Sequence, residues 1–425
     1  MEIQNILQNA LDAIDRNLRG ELCVEELARE SGFSRWHFSR LFQETVGIPP
    51  AQYLTLRRLQ FAAYAAKNGR SLTETALEYG FDSYAGFYKA FVREFGCSPS
   101  EYLRKHPARR PERFQLEKEE HKMLTHEIAK AALAHWNLEN ASLEEYRYPS
   151  SGYLCENCLW VNGEFVLKER PFRRVLEKEA ALAEQLTRFG LEAPDFQPCT
   201  EGGVIAEEKG RWFCLGRMPK GEALLASEIM KPEGIVLARD IGKAIGKLHL
   251  ALQECDFPAE ERNLTEEAGG WALQKLKKEG LMPLELCSRW EREFPEIYEK
   301  LPRQLVHRGL NPGNTLYHNG RVAGFHEFNL STREARVFDP VCYATAVLSE
   351  TWGKMDAAPW KNVLDAILKG YDEICPLTAE ERKAVPWIIL ANQFVFMAWT
   401  GEREKLAQIA ETNRQMTLWL WKILF

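Results

Sequence analysis

The sequence predicts a multidomain protein, in which an all-α domain with two helix-turn-helix units precedes a larger, two-lobed α+β domain. Three observations carry this prediction. One helical motif is written twice near the N-terminus, in residues 26–54 and again in residues 74–103. An Asn162-Gly163 pair between two apolar alternations is typical of a β-hairpin. From Ile235 onward the patterns are mostly helical, with one interruption at residues 305–330.

The first helix-turn-helix unit is delimited by serine and glycine. An amphipathic helix is predicted over residues 3–17, because apolar residues recur there every three or four positions. A short helix over Val24–Glu30 ends at a Ser-Gly pair, and Ser34 caps a second helix over Arg35–Thr45. Two helices joined by a tight, glycine-containing turn form the helix-turn-helix pattern. A longer helix is predicted over Pro50–Lys67.

The same unit then recurs. A short helix over Thr73–Tyr79 is broken at Gly80, and Asp82 or Ser83 caps a helix that runs to Phe95. The repeat predicts that the two units have the same architecture.

Charge is distributed unevenly over this part of the chain. Residues 1–107 contain 13 Lys and Arg and 13 Asp and Glu, so their net charge is zero. Ser34–Gln43 and Tyr84–Arg93 nevertheless hold two basic residues each and no acidic one. The net charge of −6 for the whole chain argues against a protein that coats nucleic acid by bulk electrostatics. The two acid-free helices are the segments that could face DNA.

The segment GFSRWHFSRLFQ, followed by RRLQFAAYA and ALEYGFDSYAGFYKAFVREFGCSPSEYL, resembles the AraC-family DNA-binding domain over about residues 1–107. The resemblance implies that the second helix of each unit enters a major groove, so that one chain reads a bipartite site in two adjacent grooves of double-stranded DNA. Arg35 and Arg93 are expected to contact phosphates. An alternative for Trp36 and Tyr88 is a place in or beside the hydrophobic core. The residues expected by position to read bases are Trp36, Ser39, Arg40, Tyr84, Ala85, Tyr88 and Lys89.

Four parts are expected along the chain. The DNA-binding domain spans residues 1–107, and a linker spans residues 108–124. Pro107 and Pro111 break the last helix before the linker, and the segment that follows is charged and poor in apolar residues, which predicts a solvated segment. The N-lobe of the second domain is expected over residues 125–220 and its helical C-lobe over residues 221–425.

The N-lobe pattern mixes strands with few helices. Thr125 caps a helix predicted over His126–Asn137, and a second helix is predicted over Arg174–Phe189. A small sheet with one helix against it, followed by a helical lobe, predicts two lobes. The extended segments are residues 143–148, 158–161, 164–168, 204–207 and 212–218.

The interruption LVHRGLNPGNTLYHNGRVAGFHEFN resembles the catalytic and metal loops of the aminoglycoside phosphotransferase and choline-kinase-like family. ENCLWVNGEFVLKE resembles that family's nucleotide-binding strand pair, and FCLGRMPKGE and IGKAIGKLHLAL follow in the family's order. The resemblance covers about residues 125–425 and implies a protein-kinase-like fold. It implies that Lys168 pairs with nucleotide phosphates and that Glu179 pairs with Lys168.

The same resemblance assigns the loop residues. Asn314 and Glu327 stand at the metal-binding positions, and His307 and Asp339 stand at positions that brace the loop. Gly309 stands where the family has its catalytic aspartate, and glycine can neither accept a proton nor orient a nucleophile. The family's pattern therefore implies a pseudokinase without a catalytic residue, which binds ATP and Mg²⁺ without turnover or binds no cofactor at all.

These features predict a DNA-binding transcription regulator of AraC type, whose pseudokinase-like domain senses an amine, a hydroxyl compound or a nucleotide. Two alternatives stay open: an active small-molecule kinase that regulates its own gene, and a C-terminal domain that serves only dimerisation or partner contact. RNA polymerase and a second copy of the chain are candidate partners. No membrane association is expected, because no segment has about 18 consecutive apolar residues. The acidic, amphipathic N-terminus fits no secretory signal, and the expected location is cytoplasmic.

Overall fold

The structure is a computed structural model. It describes residues 2–20, 22–33, 35–95, 97–105, 110–111, 113–116, 124–147, 154–170, 172–219, 221–255, 261–326, 328, 331–401 and 407–425. Within these ranges, no helix is both long and apolar enough to cross a membrane. None of the ten cysteines, all of which are described, forms a disulfide.

Within its described residues, the N-terminal region consists of helices joined by short turns and contains no strand. α2 and α4 have the predicted bounds, because a glycine-containing turn and Pro50 delimit them. The hydroxyl of Ser71 caps α5 by accepting a hydrogen bond from the Glu74 amide. The hydroxyl of Ser83 accepts a hydrogen bond from the Gly86 amide at the start of α6. The helices are α1 Glu2–Arg16, α2 Val24–Glu30, α3 Arg35–Val46, α4 Pro50–Lys67, α5 Leu72–Glu78, α6 Tyr84–Phe95 and α7 Pro99–Lys105.

One hydrophobic core joins the two helix-turn-helix units. Phe38 and Phe42 of α3 and Phe87 and Phe91 of α6 are fully buried in it, beside Tyr53 of α4. Burying a phenylalanine side chain contributes about 1.5–3 kcal/mol. The helical spacing of these aromatics thus determines which faces of α3 and α6 are left for other contacts.

The described part of the linker is not a solvated segment, which corrects that prediction. Leu116 is buried and Phe114 packs against the core of the helical region. Arg113 pairs with Asp12, with its Nε atom 2.6 Å from Oδ1, and Gln8 exchanges two hydrogen bonds of 2.9 Å with the linker backbone. Two apolar side chains, together with these polar contacts, hold this part of the chain against the helices.

The second region begins with a short helix and a six-stranded antiparallel sheet, in the order β1-β2-β3-β6-β4 with β5 paired to β6. Asn162 and Gly163 have φ values of 54° and 65° in the turn between β2 and β3, which the Asn-Gly pair predicts. The predicted second strand was too short, since pairing with β1 extends it back to Leu154. The elements are α8 His126–Leu133, β1 Leu143–Arg147, β2 Leu154–Val161, β3 Phe165–Arg170, α9 Arg173–Arg188, β4 Asp195–Phe196, β5 Ile205–Glu208 and β6 Arg211–Arg217.

The helical lobe follows, with two small sheets in the orders β10-β9-β7 and β11-β8. A π-helix spans Glu266–Ala272. The elements are β7 Glu222–Ala223, α10 Ala226–Ile229, α11 Gly234–Gln253, α12 Leu273–Lys278, α13 Leu284–Tyr298, β8 Arg303–Val306, β9 Thr315–His318, β10 Arg321–Phe325, β11 Thr332–Ala335, α14 Phe338–Thr351, α15 Trp360–Ile374, α16 Ala379–Gly401 and α17 Ala407–Leu424.

Helices α11 and α15 cross at unusually close range, because glycine lies at the crossing in both. A Cβ atom on Gly242 would lie 2.0 Å from the carbonyl oxygen of Ile367. A Cβ atom on Gly370 would lie 1.9 Å from the carbonyl oxygen of Arg239. The crossing places His249 of α11 beside Tyr371 of α15, close to the loop of residues 307–314.

Candidate functional site

Helix α6, which is expected to read bases in the second unit, presents its outer face to solvent. Ala85, Tyr88 and Lys89 are exposed, and the Tyr88 residue is 42% exposed. Tyr84 is half-buried against Phe87, with their ring centroids 5.9 Å apart. Aromatic, small and basic side chains therefore lie side by side on a helix face, where base edges and phosphates could reach them.

Helix α3, which is expected to read bases in the first unit, is placed differently. Arg35 is exposed and pairs with Glu25 at 2.6 Å, an ion pair that DNA phosphates could replace. Ser39 is only 6% exposed, so the structure does not present this predicted base-reading residue to solvent. The side chains of Trp36 and Arg40 lie outside the described part of the structure. Burial of Ser39 indicates that another part of the chain covers the face of α3 that carries this residue.

Lys168 of β3 and Glu179 of α9 form the ion pair that the family pattern implies. The Lys168 Nζ atom lies 3.0 Å from a carboxylate oxygen of Glu179, and Arg170 lies 3.5 Å from the other oxygen. Burial disfavours both charged forms, yet the two cations lower the pKa of Glu179, and Glu179 raises the pKa of Lys168. Two cations and one carboxylate leave one net positive charge, which suits an anionic group.

The loop of residues 307–314 is braced by Asp339 at the start of α14. The Asp339 carboxylate accepts hydrogen bonds of 2.8 Å from the backbone amides of His307 and Arg308. It also lies 2.9 Å from Nε2 of His249, and the bonds to His307 and His249 are fully buried. Burial alone would raise the pKa of Asp339, but the hydrogen bond from His249 and the neighbouring donors lower it. The loop is therefore held by its backbone.

Gly309 contributes only backbone groups to this loop. Its amide donates to Nδ1 of His307 at 3.1 Å. Its carbonyl oxygen accepts from the side-chain amides of Asn311 at 3.1 Å and Asn314 at 3.0 Å. The residues from His307 to Asn314 include no acidic side chain. The loop thus keeps an ordered shape without a carboxylate that could act as a general base.

His326, just before the predicted metal-binding residue, is a candidate that the sequence reasoning missed. Its Nε2 atom is buried without a hydrogen-bond partner among the described residues. Burial, together with His307 and Lys168, lowers the pKa of His326 to about 4, so the ring is neutral at pH 7. The signal was available, since histidine replaces the isoleucine with which the family's metal loop begins.

The metal-binding prediction is only partly visible in the structure. Glu327 lies outside the described residues, as does the neighbouring Asn329. Asn314 donates its side-chain NH₂ group to Gly309, which leaves its amide oxygen as the atom that could ligate Mg²⁺. Across the described ranges, no group of three or more His, Cys, Asp or Glu side chains could hold a metal ion.

A cavity of about 340 Å³ contains the Lys168–Glu179 pair, and two regions of the chain line it. The kinase-like region contributes Lys168, Glu179 and His326, and Phe328 closes one side. The volume falls within the usual range for small-molecule sites, about 300–1,000 Å³. The wall from the helix-turn-helix region consists of Gln43, Thr45, Val46 and Gly47, at the end of α3.

Helix α9 joins the helix-turn-helix region to this cavity. Arg174 of α9 donates to Glu94 of α6 at 2.6 Å, and both side chains are buried. Phe172 and Val175 pack against the core of the helical region, and the rings of Phe172 and Phe114 stack with centroids 6.3 Å apart. Removing one partner of a buried ion pair typically costs about 3–5 kcal/mol. The helix that carries Glu179 thus also contacts the helix-turn-helix region.

Comparisons with known proteins match both regions. A family model described as a helix-turn-helix domain matches residues 27–105, and one described as the phosphotransferase enzyme family matches residues 147–381. The putative HTH-type transcriptional regulator YkgA of Escherichia coli K12 is 38% identical over 100 residues, which are 23% of this chain and 42% of YkgA. The HTH-type transcriptional activator AarP of Providencia stuartii is 35% identical over 99 residues, which are 23% of this chain and 73% of AarP.

A solved structure supports the fold of the second region. The microcompartment-associated aminopropanol kinase aligns with a TM-score of 0.50 over 70% of this chain and 97% of its own, with 16% identity. Identity this low shows the fold alone, and it confirms the predicted kinase-like α+β architecture after an all-α region. The chain therefore belongs to the phosphotransferase enzyme family, and its N-terminal region is an AraC-type helix-turn-helix domain of the kind found in transcription regulators.

Proposed function

We propose that this protein is a DNA-binding transcription regulator whose phosphotransferase-family domain senses a small molecule and does not transfer phosphate efficiently. One observation carries the proposal: the Lys168–Glu179 pair is formed, while Gly309 occupies the catalytic position of a braced loop. A site that can hold a ligand but has no general base is suited to sensing. The ligand classes that the family suggests are an amine or hydroxyl compound and a nucleotide.

A nucleotide fits the groups that are present. Lys168 would pair with its phosphates, and Asn314 and Glu327 would hold Mg²⁺. The buried Nε2 atom of His326, which has no hydrogen-bond partner among the described residues, belongs to a residue that lines the same cavity and offers a further polar contact. Bound Mg²⁺ would neutralise phosphate charge. The residues of this chain would orient the nucleotide, while the loop at Gly309 supplies no group that could take a proton from an acceptor.

ATP with Mg²⁺ is expected to stabilise the wild-type chain in a thermal-shift measurement, and Lys168→Ala is expected to abolish the shift. A ligand at 100 times its Kd adds about 2.7 kcal/mol. For a domain of this size that corresponds to an increase in Tm of roughly 5–10 °C. Lys247→Ala, at an exposed position of α11, is the matched control and should keep the shift.

A panel of amines and hydroxyl compounds tests the sensing proposal in the same format. Stabilisation by any member supports a sensor. Absence of a shift with every compound and with ATP would contradict it, and would favour a domain that serves only dimerisation or contact with a partner such as RNA polymerase.

Gly309→Asp is expected to increase ATP hydrolysis by about 100-fold or more, because a positioned general base typically contributes 10²–10⁴-fold. The wild type should stay near the background rate. Gly313→Asp, in the same loop but away from the catalytic position, is the control for added negative charge. Efficient phosphate transfer by the wild type to any compound of the panel would show an active kinase and refute the sensor.

A further inference from the structure

We propose that one face of α3 has two alternative partners, DNA and the cleft of its own phosphotransferase-family domain. In the docked form seen here, only α6 is available to read a major groove. This inference concerns regulation, and it rests on the proposed function for its biological meaning.

The internal repeat allows the exposure of equivalent residues in α3 and α6 to be compared. α3 and α6 each have 12 residues and occupy equivalent places in their units, so Ser39 corresponds to Tyr88. Ser39 is 6% exposed and Tyr88 is 42% exposed. The core-facing phenylalanines are fully buried in both helices, so the two units pack alike internally. The difference therefore comes from what lies outside α3.

The covering elements belong to the phosphotransferase-family domain. α3 packs against the π-helix Glu266–Ala272 of the helical lobe. Gln43, one turn beyond Ser39, lines the cavities that also contain Lys178 and Ser331. The last residues of the same helix and its following turn form one wall of the cavity around Lys168. Both sides of the cleft thus contact a single reading helix.

Docking and DNA reading exclude each other for α3. A helix with its side chains is about 10–12 Å across, and the major groove is about 12 Å wide. A helix that another domain contacts along its flank therefore cannot enter the groove. α6 has no such contact at Tyr88 and Lys89, and its buried contact with the other domain, through Glu94, lies at its far end.

One helix, α9, connects the cleft to the buried ion pair between Arg174 and Glu94. Arg174, which holds Glu94, and Glu179, which holds Lys168, lie five residues apart on α9. A shift of α9 that accompanies ligand binding must therefore act on both contacts. This connection makes the docked form sensitive to the state of the cleft.

The test is DNA selection from a random duplex library by the full-length chain. The wild type is expected to select a single half-site. Arg174→Glu should release α3 and select a second half-site one helical turn away, with about tenfold tighter binding. The double variant Glu94→Arg with Arg174→Glu should restore the pair and the single half-site. Arg173→Glu, whose ion-pair partner Glu177 lies in the same helix, is the matched control and should behave as the wild type.

A second measurement does not depend on the folding of Arg174→Glu. In the wild-type chain, Lys89→Ala should weaken DNA binding about tenfold, whereas Arg40→Ala should change it less than twofold. Equal weakening by the two variants, or a bipartite site selected by the wild type, would overturn the inference. Neither readout uses a small molecule, so a failure of the ligand-sensing proposal would leave these results intact and distinguishable.

Discussion

Gly370→Ala is expected to lower the free energy of unfolding by about 3 kcal/mol or more, at the upper end of the range for overpacked cores. The added Cβ atom would lie 1.9 Å from the Arg239 carbonyl oxygen and 3.1 Å from the Lys243 amide nitrogen. Both atoms are backbone, so no side-chain rotation can relieve the contact. Helices α11 and α15 would have to separate by more than an ångström.

The measurement is urea unfolding followed by tryptophan fluorescence, since Trp360 lies fully buried at the start of α15. Gly270→Ala is the matched control, because no atom lies within 4 Å of the added Cβ and the residue has no left-handed backbone conformation. A loss below about 1 kcal/mol for Gly370→Ala would show that the crossing is looser than the structure indicates.

Asp339→Asn is expected to destabilise the helical lobe by about 3–5 kcal/mol, the usual cost of removing one partner from a buried charged cluster. The carboxylate accepts from two backbone amides and faces Nε2 of His249. An amide has one oxygen, so its NH₂ group would face at least one of these donors. The left-handed backbone at Arg308, with φ of 64°, would lose the contact that holds it.

Urea unfolding and proteolysis within residues 307–314 measure this effect. Asp365→Asn, at an exposed position that is 4.0 Å from Lys361, is the control and should change stability by less than about 0.5 kcal/mol. The folded-state pKa of Asp339 is lowered from its ordinary value of 3.8, so its contribution is complete above that pH and is lost as the pH falls below it. The difference between wild type and variant should accordingly shrink only in acid. A variant as stable as the wild type at pH 7 would refute the bracing role.

The helix-turn-helix region could be predicted because residues that begin or end helices mark its boundaries in the sequence. α2 and α4 have the predicted bounds, since serine, glycine and proline mark helix ends through short-range chemistry. α8 was predicted too long, because Asn137 adopts a left-handed conformation after a single 3₁₀ turn over Ala134–Trp136. Boundaries that depend on one residue's backbone conformation are not visible in an apolar pattern.

The same distinction applies to the candidate site: residues that follow a sequence pattern could be predicted, and contacts between distant parts of the chain could not. Lys168 and Glu179 could be named in advance, because their spacing follows a family pattern, and the structure brings them to 3.0 Å. Burial of Ser39 could not be predicted from local sequence, because α3 packs against a π-helix that begins 227 residues later in the chain. The docking of Phe114 against Phe172 likewise depends on a long-range contact.

The two-walled cavity around Lys168 has a consequence for thermodynamic linkage. In the regulation proposed above, a molecule that touches both walls would bind the docked form more tightly than the released form, and it would therefore oppose operator binding through α3. Reciprocity then requires the operator to weaken that molecule's affinity by the same factor. In this protein the operator would act as an antagonist of the effector, and the effector affinity would depend on how much operator is present.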